Sequence, residues 1–84
     1  MKSIILNGLY MEEPENAHRY LKEKLQLSDH YQNSMDTLHD CLNTMQNTRI
    51  EVYHSDGQSR YFRELIQVFA AAGRENDDII VSLQ

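Results

Sequence analysis

The run Ile79-Ile80-Val81-Ser82-Leu83 lies near the carboxyl end of the chain and is almost continuously apolar. Such a run is typical of a β-strand covered on both faces, as parallel strands linked by helices usually are. It therefore predicts an α/β fold rather than a meander of antiparallel strands. Two further β-branched or aliphatic runs, at residues 3–6 and 50–53, predict the other strands.

Two stretches with helical spacing separate the first strand from the second. Pro14 suits a first helical position, and the apolar residues that follow it repeat every four positions as far as residue 25. A second apolar repeat runs from Met35 to about Gln46, and either Asn33 or Ser34 can cap it. The sequence therefore predicts two consecutive helices before the second strand.

A third helix is predicted over residues 59–72, between the second and third strands. Ser59 is a suitable N-cap, and Gly73 is expected to end the helix. The order of elements is then β-α-α-β-α-β. Because crossovers between parallel strands are right-handed, we expect a small parallel sheet packed against its helices.

Length and charge restrict the function classes. A chain of 84 residues has room for one core, so we expect a single domain over residues 1–84. The net charge of -5 disfavours nucleic acid and anionic membranes as partners and favours a cationic one. The lone Cys41 allows no internal disulfide, and the apolar run at residues 4–6 is too short for a signal peptide. We therefore expect a cytoplasmic protein.

The negative charge is concentrated around the second predicted helix. No Lys or Arg occurs between Leu25 and Thr48, whereas Asp36 and Asp40 lie in that interval. At about 100° per residue, both carboxylates point away from the apolar stripe. The outward face therefore comprises Asp36, His39, Asp40, Asn43 and Thr44.

This acidic arrangement has two interpretations. The charges can simply keep an exposed helix face soluble, with Asp36 complementing the positive end of the helix dipole. Against this, like charges at i, i+4 destabilise a helix by a few tenths of a kcal/mol. A cationic partner would turn that repulsion into attraction.

The sequence offers no recognisable catalytic or metal site. The four histidines fall in no metal-binding motif, and two aspartates alone would leave a metal short of ligands. Cys41 is expected on the buried side of its helix without a suitable base, and three single glycines cannot form a phosphate-binding loop. We expect neither an enzyme nor a cofactor.

The segment DHYQNSMDTLHDCL, residues 29–42, resembles the barstar family of intracellular ribonuclease inhibitors. The resemblance extends over nearly the whole chain, in the same order and with similar spacing. Its other parts are Asn7-Gly8 after the first strand, LKEKLQL at residues 21–27, IQVFAAAG at 66–73 and DIIVSL at 78–83. It implies a three-stranded parallel sheet packed against helices, and an inhibitory surface formed by the second helix and the loop before it.

The resemblance also implies roles for individual residues. The aspartate matching Asp40 would take the place of a substrate phosphate in the active site of a ribonuclease, and the one matching Asp36 would support it. A carboxylate suits this role because it accepts paired hydrogen bonds from a guanidinium, as a phosphate does. The implied partner-binding set is Asp36, Asp40, His39, His30, Ser34, Asn43 and Thr44.

Several positions depart from the family pattern around this core. His30 and His39 stand where aromatic residues are usual, and Ala71 stands where the family has a contact glutamate. At Ser34 and Thr44 the family has an asparagine and a glycine. The stretch before the last helix is also shorter, so an extra small helix is not expected. These departures bear on the identity of the partner more than on the mode of binding.

The leading hypothesis is an immunity-type inhibitor, monomeric when free, of a basic extracellular-type ribonuclease or related toxin. The alternative is an interaction module of the same fold that binds a non-nuclease cationic partner. Neither hypothesis involves nucleic acid or a membrane as the partner.

Overall fold

The computed structural model of the protein describes residues 2–27, 31 and 34–84. It contains three strands, three α-helices and one short 3₁₀ helix. In chain order these are β1 (Lys2–Asn7), the 3₁₀ helix (Gly8–Tyr10), α1 (Pro14–Leu25), α2 (Met35–Asn43), β2 (Thr48–Tyr53), α3 (Arg60–Glu75) and β3 (Ile79–Leu83). The strands form one parallel sheet in the order β1-β2-β3. The predicted fold class and the order of strands and α-helices are confirmed.

The helices pack against one face of the sheet. On that face, alternate strand residues are buried together with one side of each helix. The fully buried side chains include Leu6, Leu21, Leu38, Leu42, Ile50, Val52, Phe62, Leu65 and Phe69. The three strands and three helices therefore share one hydrophobic core.

The opposite face of the sheet is open. Ile5 is 58% exposed and Ile80 is 44% exposed, and no described element covers them. The prediction that the third strand is covered on both faces is therefore wrong. Because the strands follow in sequential order and crossovers are right-handed, successive connections place their helices on the same side.

Two predicted helix ends also differ from the structure. The second helix ends at Asn43 rather than near Gln46, since the chain must turn to enter β2, and Asn47 adopts a left-handed conformation with φ 53°. α3 continues through Gly73 to Glu75. A Cβ at Gly73 would lie 3.2 Å from Cγ2 of Val81. This glycine therefore allows close packing of α3 on β3 instead of ending the helix.

Other sequence-based expectations agree with the structure. α1 spans Pro14–Leu25 as predicted, and Ser59 caps α3 by accepting a hydrogen bond from the backbone N–H of Phe62. The segment between β2 and α3 forms turns and contains no helix. In the part of the chain that the structure describes, no helix is long and apolar enough to cross a membrane.

Candidate functional site

The start of α2 is fixed by a reciprocal cap. The Ser34 hydroxyl accepts a hydrogen bond from the backbone N–H of Thr37 at 3.2 Å, and the Ser34 N–H donates to the Thr37 hydroxyl at 3.4 Å. Leu38 and Leu42 are fully buried beneath the helix. These contacts determine which side of α2 faces outward.

The outward side carries the two predicted carboxylates. Asp36 and Asp40 are exposed and lie one turn apart on α2. Within residues 2–27, 31 and 34–84, neither forms a hydrogen bond or an ion pair with another side chain. Their negative charge is therefore not neutralised by any described side chain.

We call the residues Asp36, His39, Asp40, Asn43 and Thr44 the acidic face, as the structure brings them together on one side of α2. All are exposed except His39, which is half-buried. The Thr44 hydroxyl donates to the Cys41 carbonyl at 2.8 Å, at the carboxyl end of the helix. Ser34 is half-buried and serves as the cap, whereas His30 lies outside the described residues.

A third carboxylate, Glu75 on α3, reaches the acidic face. Its Oε2 lies 2.5 Å from Nε2 of His39, and it accepts a hydrogen bond from the Asn43 amide at 3.4 Å. The hydrogen bond with His39, followed by that from Asn43, lowers the pKa of Glu75. Glu75 thus keeps its negative charge beside His39 and Asn43 over a wider pH range.

Sequence reasoning missed Glu75 because the third helix was expected to stop before it. The apolar repeat of α3 runs through Phe62, Leu65, Phe69 and Ala72, and a helix one turn longer reaches Glu75. A helix that continues past Gly73 includes Glu75, but its contact with α2 depends on how the two helices pack.

The carboxyl ends of α2 and α3 are also joined through Asn76. Its side-chain amide donates to the carbonyls of Leu42 at 3.0 Å and Met45 at 2.9 Å. These carbonyls lie at or just beyond the carboxyl end of α2. The last carbonyls of a helix lack N–H donors from a following turn, so they need other hydrogen-bond donors. The position of Glu75 relative to α2 is therefore fixed by hydrogen bonds from the side chain of the next residue, Asn76, to backbone carbonyls.

A buried polar cluster joins Tyr31 to α1 and α3. His18 on α1 uses Nδ1 to bond the Tyr31 hydroxyl and Nε2 to bond the Tyr61 hydroxyl, the latter at 2.9 Å. Burial lowers the pKa of His18 and raises those of both tyrosines. The cluster therefore holds Tyr31, which lies three residues before Ser34 in the sequence, against α1 and α3.

Cys41, the one cysteine of the chain, lies on α2 next to Asp40 in the sequence. Cys41 is half-buried, and burial, followed by the charge of Asp40, raises the pKa of its thiol. A thiol with a raised pKa is a poor nucleophile. In the described ranges, no three His, Cys, Asp or Glu side chains are placed to hold a metal ion.

The geometry is therefore that of an acidic helix face held in a defined orientation by α3. A family model described as Barstar (barnase inhibitor) matches residues 1–84. Members of that family are inhibitors of ribonucleases rather than enzymes. Because the match covers the whole chain and the three-stranded parallel sheet agrees with it, this chain belongs to the Barstar family.

Proposed function

We propose that the chain inhibits a basic ribonuclease, or a related nuclease toxin, by inserting the acidic face of α2 into the nuclease active site. Asp40 would take the place of a substrate phosphate, with Asp36 and Glu75 beside it. The observation that carries the proposal is the exposure of Asp36 and Asp40 without an ion-pairing partner in the described part of the chain. The remaining contacts would come from His30, Ser34, His39, Asn43 and Thr44.

Electrostatics supports this mode of binding. A ribonuclease must hold a phosphodiester, so its active site presents cationic donors that a carboxylate can engage in short charge-assisted hydrogen bonds. Glu75 strengthens the negative field, since its lowered pKa keeps it ionised. The cost of placing like charges together on α2 in the free protein becomes a gain when a cationic cleft covers them.

The proposed function also concerns the domain organisation, oligomeric state and location of the chain. We infer one domain, monomeric when free, that works in the cytoplasm of the cell that makes it. The shared hydrophobic core supports a single domain. The unpaired, half-buried Cys41 is compatible with a reducing compartment such as the cytoplasm.

The test is inhibition of RNA cleavage by a barnase-type ribonuclease titrated with the purified chain. Inhibition should be competitive with RNA, and Asp40→Ala should weaken binding by about 3–5 kcal/mol because the variant leaves buried cationic groups of the nuclease unpaired. Glu23→Ala, an exposed substitution on α1, serves as the control and should inhibit like the wild type. Absence of inhibition, or equal inhibition by Asp40→Ala, would contradict the proposal.

A further inference from the structure

A pocket of about 410 Å³ lies between the 3₁₀ helix and α1. Its described lining comes from the 3₁₀ helix, the turn after it and α1, and includes no residue of α2 or α3. The volume falls within the range of pockets that hold small ligands, roughly 300–1,000 Å³. The pocket is therefore a candidate binding site separate from the acidic face.

Two tyrosines form an aromatic wall of this pocket. The ring centroids of Tyr10 and Tyr20 lie 5.4 Å apart, and the ring planes are inclined by 44°. Tyr10 is 60% exposed and Tyr20 is half-buried, so both rings remain accessible from solvent. Leu9, which is also exposed, extends the wall with an aliphatic side chain.

The Asn7-Gly8 pair holds this wall in place. The Asn7 N–H donates a hydrogen bond to the Tyr20 hydroxyl at 2.8 Å, and the Asn7 side chain accepts one from the Leu9 N–H at 3.0 Å, which starts the 3₁₀ helix that carries Tyr10. A Cβ at Gly8 would lie 2.3 Å from the His54 carbonyl oxygen, so a larger residue would force these segments apart. The two rings are therefore positioned before any ligand binds, which lowers the entropic cost of binding.

The pocket carries an excess of negative charge. Its charged lining residues are Glu12, Glu13, Arg19 and Glu23. All four are exposed, and within residues 2–27, 31 and 34–84 none of them forms an ion pair. Three carboxylates against one guanidinium favour a cationic ligand.

We propose that this pocket binds a guanidinium group, supplied either by a small guanidino compound or by an arginine side chain of another protein. The guanidinium plane would stack on the tyrosine rings while its edges donate to the glutamates. The face of a tyrosine ring attracts cations. Tyr20 already shows this attraction, since Nζ of Lys24 lies 5.9 Å from the centroid of its ring.

The combination of rings and carboxylates favours a guanidinium over other cations. A guanidinium is planar, stacks on aromatic faces and has donors along several edges for carboxylates. A lysine ammonium can donate to the carboxylates but has no plane to stack. A quaternary ammonium can contact the rings but has no donor for the carboxylates.

The first test titrates the free, isotopically labelled protein with N-acetyl-arginine amide and follows the amide resonances by NMR. The citrulline counterpart serves as the neutral isostere, and the lysine counterpart serves as the cation without a plane. Arginine should shift the resonances of Tyr10, Tyr20 and Glu23 at millimolar concentrations, lysine should bind several-fold more weakly, and citrulline should give no response. A response to citrulline or lysine equal to that to arginine, or no response to arginine, would overturn the inference.

Variants of the two parts of the site provide the second test. Tyr10→Leu should bind N-acetyl-arginine amide about tenfold more weakly, on the order of one cation–π contact, whereas Tyr10→Phe keeps the ring and should bind like the wild type. Glu23→Gln should also weaken binding, whereas Glu15→Gln makes the same charge change on α1 outside the pocket and should not. Asp40→Ala should leave the response unchanged, because it alters only the acidic face. Equal binding by Tyr10→Leu and Tyr10→Phe, or loss of the response in Asp40→Ala, would contradict the assignment.

Arg19 allows the two sources of the guanidinium to be distinguished. Its side chain can pair with the α-carboxylate of free L-arginine, which N-acetyl-arginine amide lacks. Tighter binding of L-arginine than of the amide, lost in Arg19→Gln, would identify a small carboxylate-bearing ligand. Binding of the amide at least as tight as that of L-arginine would identify an arginine side chain within a protein. Failure of both ligands to bind would overturn the site for either source.

Discussion

At the scale of single residues, the contact between His39 and Glu75 links two helices at the proposed interface. The His39 ring and the Asn43 amide both stabilise the ionised form of the Glu75 carboxyl. Neither contact could be read from the sequence, because Glu75 was expected beyond the end of its helix. Asp36 and Asp40, in contrast, were placed correctly on the exposed side from helical periodicity alone.

Replacing His39 by Phe, an aromatic residue without a hydrogen-bonding group, should raise the pKa of Glu75. The variant removes the largest contribution that favours the charged carboxylate, so the pKa should return toward its ordinary value. A ¹³C NMR titration of the Glu75 carboxyl measures this directly. Asn43→Ala removes the second contribution and should produce a smaller rise. A Glu75 pKa that is the same in His39→Phe and the wild type would show that the contact does not persist in solution.

At the scale of elements, local signals predicted helix starts better than helix ends. Pro14 marks the start of α1 because its fixed backbone conformation suits the first helical position. Ser59 marks the start of α3 because its hydroxyl caps the helix. The ends depend on tertiary contacts: Gly73 continues a helix because its missing side chain makes room for Val81. From the sequence alone, Gly73 was predicted to end the helix because its packing against Val81 on β3 could not be seen.

The cap of α2 should stabilise the protein measurably. Ser34→Ala removes the hydroxyl that accepts from the Thr37 N–H, and the loss of such a cap costs about 1 kcal/mol of the free energy of unfolding. Chemical denaturation followed by circular dichroism gives the value. Ser3→Ala, on the open face of the sheet, should change stability by less than about 0.5 kcal/mol. Equal stability of the two variants would mean that the cap does not support the helix.

At the scale of the whole molecule, the buried cluster of His18, Tyr31 and Tyr61 joins α1 and α3 through the side chain of Tyr31. Periodicity predicted a buried apolar stripe on α1 but gave no reason to place a histidine within the core. The one-sided cover of the sheet was likewise missed, because the apolar run at Ile79–Leu83 does not distinguish a strand with one open face from a strand covered on both faces.

The lowered pKa of His18 makes stability depend on pH with a defined sign. Because the folded-state pKa lies below the unfolded value of 6.5, the unfolded chain binds more protons as the pH falls below that value. Stability should therefore be fully present above about pH 6.5 and decline as the pH falls toward the folded-state pKa. Denaturation midpoints at pH 7.5 and 5.5 should differ less in His18→Gln than in the wild type. A pH dependence unchanged by this substitution would contradict the role assigned to His18.

The acidic face and the open face of the sheet are both exposed in the described part of the chain, and mapping the complex distinguishes them as contact surfaces for a nuclease. The measurement is the set of amide NMR shifts that a barnase-type ribonuclease induces in the isotopically labelled chain. Shifts and signal loss should concentrate at residues 36–44 and at Glu75, while Ile5, Arg49 and Ile80 on the open face stay unchanged. Perturbation centred on Ile5, Arg49 and Ile80, with residues 36–44 unaffected, would contradict inhibition through the acidic face.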